Sequence, residues 1–191
     1  MRKIIIITLF VSVFCNCFAQ NTEQQFKQWL QRAEAGDSQA QFNVAWCYET
    51  GTGTKMDFYQ AFNWLKKAAE MGNVNAWAAL GCYYANGFGT AQDYSQAVYW
   101  ARKAAERNNA QGQCDLGICY YNGNGVPKDY ATAFTWFEKS AAQNYTDAFY
   151  MLGLCYQYGF GTSVNLQKAK EYYQKAADKN HQQAIQKLNE F

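Results

Sequence analysis

Residues 76–105 read AWAALGCYYANGFGTAQDYSQAVYWARKAA, and the same arrangement recurs 36 residues before and 36 and 72 residues after. Blocks beginning at Ala40, Ala76, Gly112 and Ala148 align without a gap, and a fifth begins at Ala184. Four residues into each block stand Val44, Leu80, Leu116 and Leu152, followed by Ala45, Gly81, Gly117 and Gly153. Tyr48, Tyr84, Tyr120 and Tyr156 form another column, as do Ala61, Ala97, Ala133 and Ala169. Trp64, Trp100, Trp136 and Tyr172 form a further one. Register of this kind over four copies is the signature of a repeat architecture, in which no unit buries its apolar side alone and the units must stack.

Each column has a local physical reason. The first helix of a repeat covers roughly 40–50 and its counterparts. Gly51, Gly87, Gly123 and Gly159 end it, because glycine takes the left-handed conformation that closes a helix C-terminus. The second helix opens at Asp57, Asp93, Asp129 and Asn165, whose side chains accept hydrogen bonds from unpaired N-terminal amides. It closes near Lys67, Lys103, Lys139 and Lys175, cations that suit the negative end of the helix dipole. Small pairs such as Ala68-Ala69 and Ala104-Ala105 let neighbouring helices approach. The spacing therefore predicts an all-α solenoid of helix-turn-helix repeats at 40–75, 76–111, 112–147 and 148–183. Residues 20–39 form an N-terminal capping helix, with Phe26, Trp29, Ala33 and Gly36 matching Phe62, Leu65, Ala69 and Gly72. Residues 184–191 form a C-terminal cap offering Ile185, Leu188 and Phe191.

The pattern Ala-x-x-x-Leu-Gly-x-x-Tyr-x-x-Gly-x-Gly-x-x-x-Asp-x-x-x-Ala-x-x-Trp-x-x-Lys-Ala-Ala closely resembles the Sel-one-like repeat family, relatives of the tetratricopeptide repeats. The resemblance covers about residues 23–191. It implies a right-handed α-solenoid that adapts proteins to one another, without catalytic residues common to the family. A secreted, cysteine-rich subgroup of the family, to which β-lactam binding or hydrolysis is attributed, pairs cysteines between the two helices of one repeat. Here Cys47, Cys82, Cys114, Cys119 and Cys155 all lie on first helices, so that part of the resemblance fails. No Ser-x-x-Lys motif is present either, since Gln41, Val98, Gln143 and Leu166 follow Ser38, Ser95, Ser140 and Ser163 at that spacing.

The N-terminus reads as an export signal. Arg2 and Lys3 precede an apolar run from Ile4 to Phe14, and Cys17-Phe18-Ala19 presents small residues for cleavage after Ala19. Phe14 before Cys15 and Asn16 before Cys17 fit a lipoprotein site poorly. The apolar run is short for a bilayer span, so residues 1–19 are taken as a signal peptide and the mature chain as free of an integral membrane segment. The expected localisation is exported, periplasmic or secreted. Lys and Arg number 17 against 15 Asp and Glu, and Arg2 and Lys3 account for the excess. A neutral mature chain lacks the basic field that nucleic acid or an anionic membrane demands.

A partner surface is sought where the core stripe is not. Positions opposite that stripe on the first helices carry Phe42, Trp46, Glu49, Asn86, Ile118, Tyr121, Asn122, Tyr150, Leu154 and Tyr158. In tetratricopeptide relatives such positions line the concave face. An apolar, aromatic strip edged by amides suits a protein or peptide partner, with a glycan or peptidoglycan fragment as the alternative. The competing reading makes the strip ordinary core, buried by superhelical curvature. Trp46 and Tyr158, near its two ends, are expected to be exposed. Cys82 and Cys114 face the same side of neighbouring first helices and form the one cysteine pair considered for a disulfide. Neither a catalytic group, a metal site nor a cofactor is expected. His181 is a lone histidine read as a solvated loop residue, and the cysteines have no zinc spacing.

Overall fold

A computed structural model describes residues 21–191. The expected export signal and its expected cleavage point after Ala19 lie outside the described residues. Among these residues there are ten α-helices and no strand, and the chain is an all-α repeat solenoid. They are α1 (21–34), α2 (Ser38–Thr50), α3 (Phe58–Glu70), α4 (Val74–Asn86), α5 (Tyr94–Glu106), α6 (Ala110–Asn122), α7 (Tyr130–Ala142), α8 (Thr146–Tyr158), α9 (Leu166–Ala177) and α10 (Gln182–Leu188). Even-numbered helices are the first helices of the repeats, and odd-numbered ones from α3 onward are the second. The first helices start two residues before the block boundaries seen in the sequence. The reason is capping: Asp37 Oδ1 accepts from the amides of Gln39 and Ala40, and Asn109 caps α6 through Gly112.

The chain falls into two compact units. The first holds the described residues up to Ala76 together with Phe88–Thr90. There Phe26 and Ala33 of α1 are buried, as are Val44, Phe62 and Leu65, and Phe26 meets Tyr48 edge-on at 5.5 Å. Gln41 is buried and donates from Nε2 to the Ala33 carbonyl at 3.1 Å, which ties α1 to α2. Phe58 and Phe88 stack at 5.2 Å. Asn73 bridges in both directions: its Nδ2 donates to Ser38 O at 3.3 Å, and its Oδ1 caps Ala76 N at 3.0 Å.

The second unit comprises Trp77–Gly87 and Ala91–Phe191. Its core joins Phe137, Ala148, Phe149, Leu152, Cys155, Ala169, Tyr173 and Ala184. Where α6 and α7 touch, Gly117 gives up its side chain to the Phe137 ring; a Cβ there would stand 2.5 Å from Phe137 Cε1. The repeats are also stitched by polar contacts. Ser140 Oγ donates to Ala110 O at 2.6 Å, and Gln143 Nε2 donates to Gln113 Oε1 at 2.8 Å. α1 and the second helices are followed by a left-handed residue that is Gly36 or Gly72 early in the chain and Asn108, Asn144 or Asn180 later. Asparagine tolerates that conformation better than other residues with a side chain.

The lysines read as dipole partners do a second job. Lys67 Nζ lies 4.0 Å from the Trp64 ring centroid, Lys139 4.1 Å from Trp136, and Lys175 5.0 Å from Tyr172. Each sits three residues after its ring on one helix face, where a cation is held over the π-cloud.

Candidate functional site

The first helices present the strip in parts, and each unit is described by itself. In the first unit, α2 leaves Trp46 45% exposed and Glu49 exposed, with Phe42 half-buried. Thr50 Oγ1 donates back to the Trp46 carbonyl at 2.9 Å, so the last turn of α2 is fully bonded beneath the indole. In the second unit, Asn86, Asn122 and Tyr158 are exposed, Tyr158 by 50%, while Ile118, Tyr121, Tyr150 and Leu154 are half-buried. Ala78 and Cys114, in the same register, are buried.

Packing divides the aromatic members. Tyr121 meets Tyr130 at 5.2 Å and Phe160 at 5.4 Å, and these two stack on each other at 4.6 Å. That cluster roots Tyr121 in the junction of repeats. Tyr150 stacks on the His181 ring at 4.7 Å. His181 is therefore not a solvated loop residue. Its Nδ1 accepts from Ala184 N at 3.2 Å and caps α10, which puts the ring proton on Nε2, 3.5 Å from Asp147 Oδ1. The sequence argument missed this because a histidine N-cap is uncommon and the stacking partner lies 31 residues away.

The five cysteines among the described residues are free thiols. Cys114 packs into the α6–α7–α8 core, whereas Cys82 lines a cavity with the Asn86 amide donating to its Sγ at 3.4 Å, and the two are not bridged. Burial pushes the thiols of Cys47 and Cys119 up to about 11 and that of Cys155 up to about 12. Such groups stay protonated near neutrality and are poor nucleophiles. Among the described residues no cluster of histidine, cysteine or carboxylate side chains could hold a metal ion.

A feature absent from the sequence reading lies beside the strip. In the second unit a cavity of about 360 Å³ is walled by α4, α5 and α6 and the turns after α4 and α6. Cys82, Asn86, Gln92, Tyr94, Asp115 and Asn122 line it. Asp115 takes a hydrogen bond from the Gln111 side chain, but its Oδ2 is shut off from solvent and has no partner. Burial pushes the Asp115 pKa up to about 7; the Gln111 bond opposes the rise and the Asp147 charge adds to it. The other repeats place Asn43, Ala79 and Met151 in this column, so only one of four copies carries the charge and no periodic signal exposes it.

This carboxylate makes a stability prediction. Its folded pKa lies above the ordinary value of about 3.9, so the native state holds the proton that the unfolded chain has lost. The contribution of Asp115 to stability therefore falls as pH rises from about 4 to about 7 and levels off beyond it. Asp115→Asn removes that slope, and the variant gains on the wild type steadily across this interval. Parallel urea titrations at several pH values measure it; identical pH profiles for the two proteins would contradict the burial argument.

The described residues contain no helix long and apolar enough to cross a membrane. The Sel1 repeat family matches at residues 38–73, 76–109, 110–145 and 146–181. Among solved structures, the chain is similar to c5321, a protective antigen of uropathogenic Escherichia coli strains displaying an SLR fold. Identity is 37% with a TM-score of 0.75, over 85% of this chain but only 35% of that one. A Sel1 repeat protein from Oxalobacter formigenes is 32% identical with a TM-score of 0.81, over 87% of this chain and 66% of the other. The cysteine rich protein B of Helicobacter pylori is 27% identical with a TM-score of 0.53, over 65% and 94% of the respective chains. This chain thus spans about a third of the first relative's length and 66% of the second's. No curated protein matches it. Four family matches laid over four observed helix pairs carry the assignment: the chain belongs to the Sel1 repeat family.

Proposed function

We propose that this chain is an exported, non-catalytic scaffold that holds a partner protein on its first-helix face. Sel1 repeat proteins generally serve as protein-interaction scaffolds. The observation that carries the reading here is the exposure of Trp46 and Tyr158 on first helices, where the other aromatic members of the strip, Phe42, Tyr121 and Tyr150, are half-buried. Large aromatic side chains left in water at defined positions are the groups that dominate protein interfaces once covered. Tyr158 leans on Phe160 at 5.7 Å and takes a hydrogen bond from Lys187, yet half of its surface, like that of Trp46, stays open to a partner. Export rests on the basic, apolar and small-residue pattern of residues 1–19. A mature chain starting at Gln20 in N-terminal sequencing of the envelope fraction would bear that out; recovery of an intact N-terminus in the cytoplasm would count against it.

Trp46→Ala is expected to leave the helical signal and melting midpoint unchanged and Tyr158→Ala to lower the midpoint slightly through its lost Phe160 and Lys187 contacts, while each weakens partner capture by about 2 kcal/mol, the scale of an aromatic hot spot. Affinity purification from envelope extracts, followed by titration of the captured protein in purified form, reads this. Undiminished protein binding by both variants would remove these residues from the interface. Retention on a peptidoglycan column lost in both variants, with protein capture intact, would redirect the assignment to a glycan.

A further inference from the structure

The sequence holds three Asn-Gly dipeptides, Asn86-Gly87, Asn122-Gly123 and Asn124-Gly125, and the fold treats them unequally. In such a pair the glycine amide nitrogen can attack the asparagine side-chain carbonyl carbon, because glycine brings no side chain to obstruct the approach. The attack is blocked while that N–H is held in a hydrogen bond at a helix end. Gly87 N donates to Tyr83 O at 2.8 Å, and Gly123 N donates to Cys119 O at 2.9 Å, so each closes its first helix. Asn86 is held twice over, since its Nδ2 also donates to Cys82 O at 2.8 Å and to Cys82 Sγ at 3.4 Å. Gly125 differs. Among the described residues its N–H has no hydrogen-bond partner, and neither has the Asn124 side chain. The Asn124 backbone amide donates to Cys119 O at 3.0 Å, so the bonded end of α6 stops one residue short of the reactive nitrogen. Gly125 is exposed, and Asn124 is half-buried.

We propose that Asn124 is a site of spontaneous deamidation, the one Asn-Gly pair that the folded chain leaves reactive. Gly125 N gives its proton to hydroxide and bonds to Asn124 Cγ. The Cγ–Nδ2 bond breaks, and ammonia leaves with a proton returned by water. Water then opens the succinimide ring. Addition at Cγ yields aspartate, whereas addition at the Asn124 main-chain carbonyl carbon yields isoaspartate, in which the main chain runs through Cβ and Cγ. The net change is asparagine plus water giving a carboxylic acid plus ammonia, without oxidant or reductant. The fold gives both products a consequence. Gly125 sits at φ +71°, with its missing Cβ against the Tyr94 carbonyl at the start of α5. Isoaspartate lengthens the main chain by one carbon directly before that contact and pushes Gly125 off Tyr94. Aspartate keeps the main chain and instead adds a negative charge to the cavity lining that Asn124 shares with Asp115.

Timed incubation of the folded protein in mildly alkaline buffer, then proteolysis and mass spectrometry of the peptides, reads each event as a gain of about 1 Da. Chromatography separates the aspartate and isoaspartate forms. Asn124 is expected to deamidate at least tenfold faster than Asn86 or Asn122, because those two react only after their helix end has opened. In concentrated urea the three should react at similar rates, since the dipeptide is the same and only the fold distinguishes them. Equal rates at the three sites in the folded protein overturn the proposal. So does an Asn124 that stays intact over a time that converts it in urea, or a folded-state order that persists unchanged in urea. Asn124→Gln, whose longer side chain closes its ring far more slowly, should keep its melting midpoint on storage while that of the wild type falls as isoaspartate accumulates. A parallel fall in the variant overturns the link to the Tyr94 contact. Should the variant not fold, the peptide map of the wild type still decides the modification.

Discussion

Phe137→Ala is expected to destabilise the protein by about 3–5 kcal/mol, the range for deleting a fully buried phenyl ring. Phe137 is 0% exposed and belongs to the core cluster that also holds Leu152, Cys155 and Tyr173. What makes the prediction specific is its partner. The ring occupies the space where Gly117 lacks a side chain. Gly117→Ala alone should therefore cost about 1–3 kcal/mol by overpacking, despite alanine being the better helix former. In the Phe137→Ala background the same change meets no ring, and the helix preference of about 1 kcal/mol should make it stabilising. A double-mutant cycle by urea denaturation reads the reversal of sign. Strict additivity would mean that α6 and α7 do not meet through this pair.

Gly161→Ala is the second large effect. Gly161 has φ +71°, and a Cβ there would fall on the backbone carbonyl of Tyr130 at the start of α7. Left-handed strain of about 1–2 kcal/mol adds to a collision that no rotamer change can relieve, about 1–3 kcal/mol more. Gly125 stands in the same relation to Tyr94. In the first unit, Gly53 and Gly89 are placed likewise on Thr22 and Phe58. The turn after each first helix thus docks on the start of the preceding second helix. Gly72 provides the control, since its φ is +83° but nothing lies within 4 Å of its missing Cβ. Gly72→Asn should be nearly neutral, because Asn108 and Asn144 already occupy the equivalent turn at φ 59° and 62°. Thermal unfolding of both variants discriminates conformational strain from steric docking. Equal losses at positions 72 and 161 would argue for strain alone.

The helix ends were the most legible part of the chain. Asp57, Asp93, Asp129 and Asn165 cap the second helices through their side chains, and Gly51, Gly123 and Gly159 close first helices in the left-handed conformation. These are contacts within a few residues, so composition at a fixed spacing suffices to predict them. The exposure of the strip was not legible in the same way. Trp46 and Tyr158 keep about half their surface in solvent, although Tyr158 touches Phe160, whereas Tyr121 and Tyr150 on the same strip are drawn into ring clusters with Tyr130, Phe160 and His181. Which aromatic side chains remain available depends on residues one repeat away.

Two facts mark where sequence ends and tertiary structure begins. Periodicity alone determined the number of repeats, the order of helices and the side of each helix that is buried, because those follow from local hydrogen bonding and from apolar residues recurring on one face. It also displayed a column of Ala45, Gly81, Gly117 and Gly153 without saying why it is small. Packing supplied the reason in the larger unit, where Phe137 and Tyr173 press their rings onto Gly117 and Gly153, and the Ala101 backbone closes on Gly81. The isolated charge of Asp115 belongs to the same class. As a letter it breaks no pattern strongly enough to notice, and its unusual state arises only because three helices exclude water from it. Burial and close approach are sums over distant neighbours, and no window along the chain contains them.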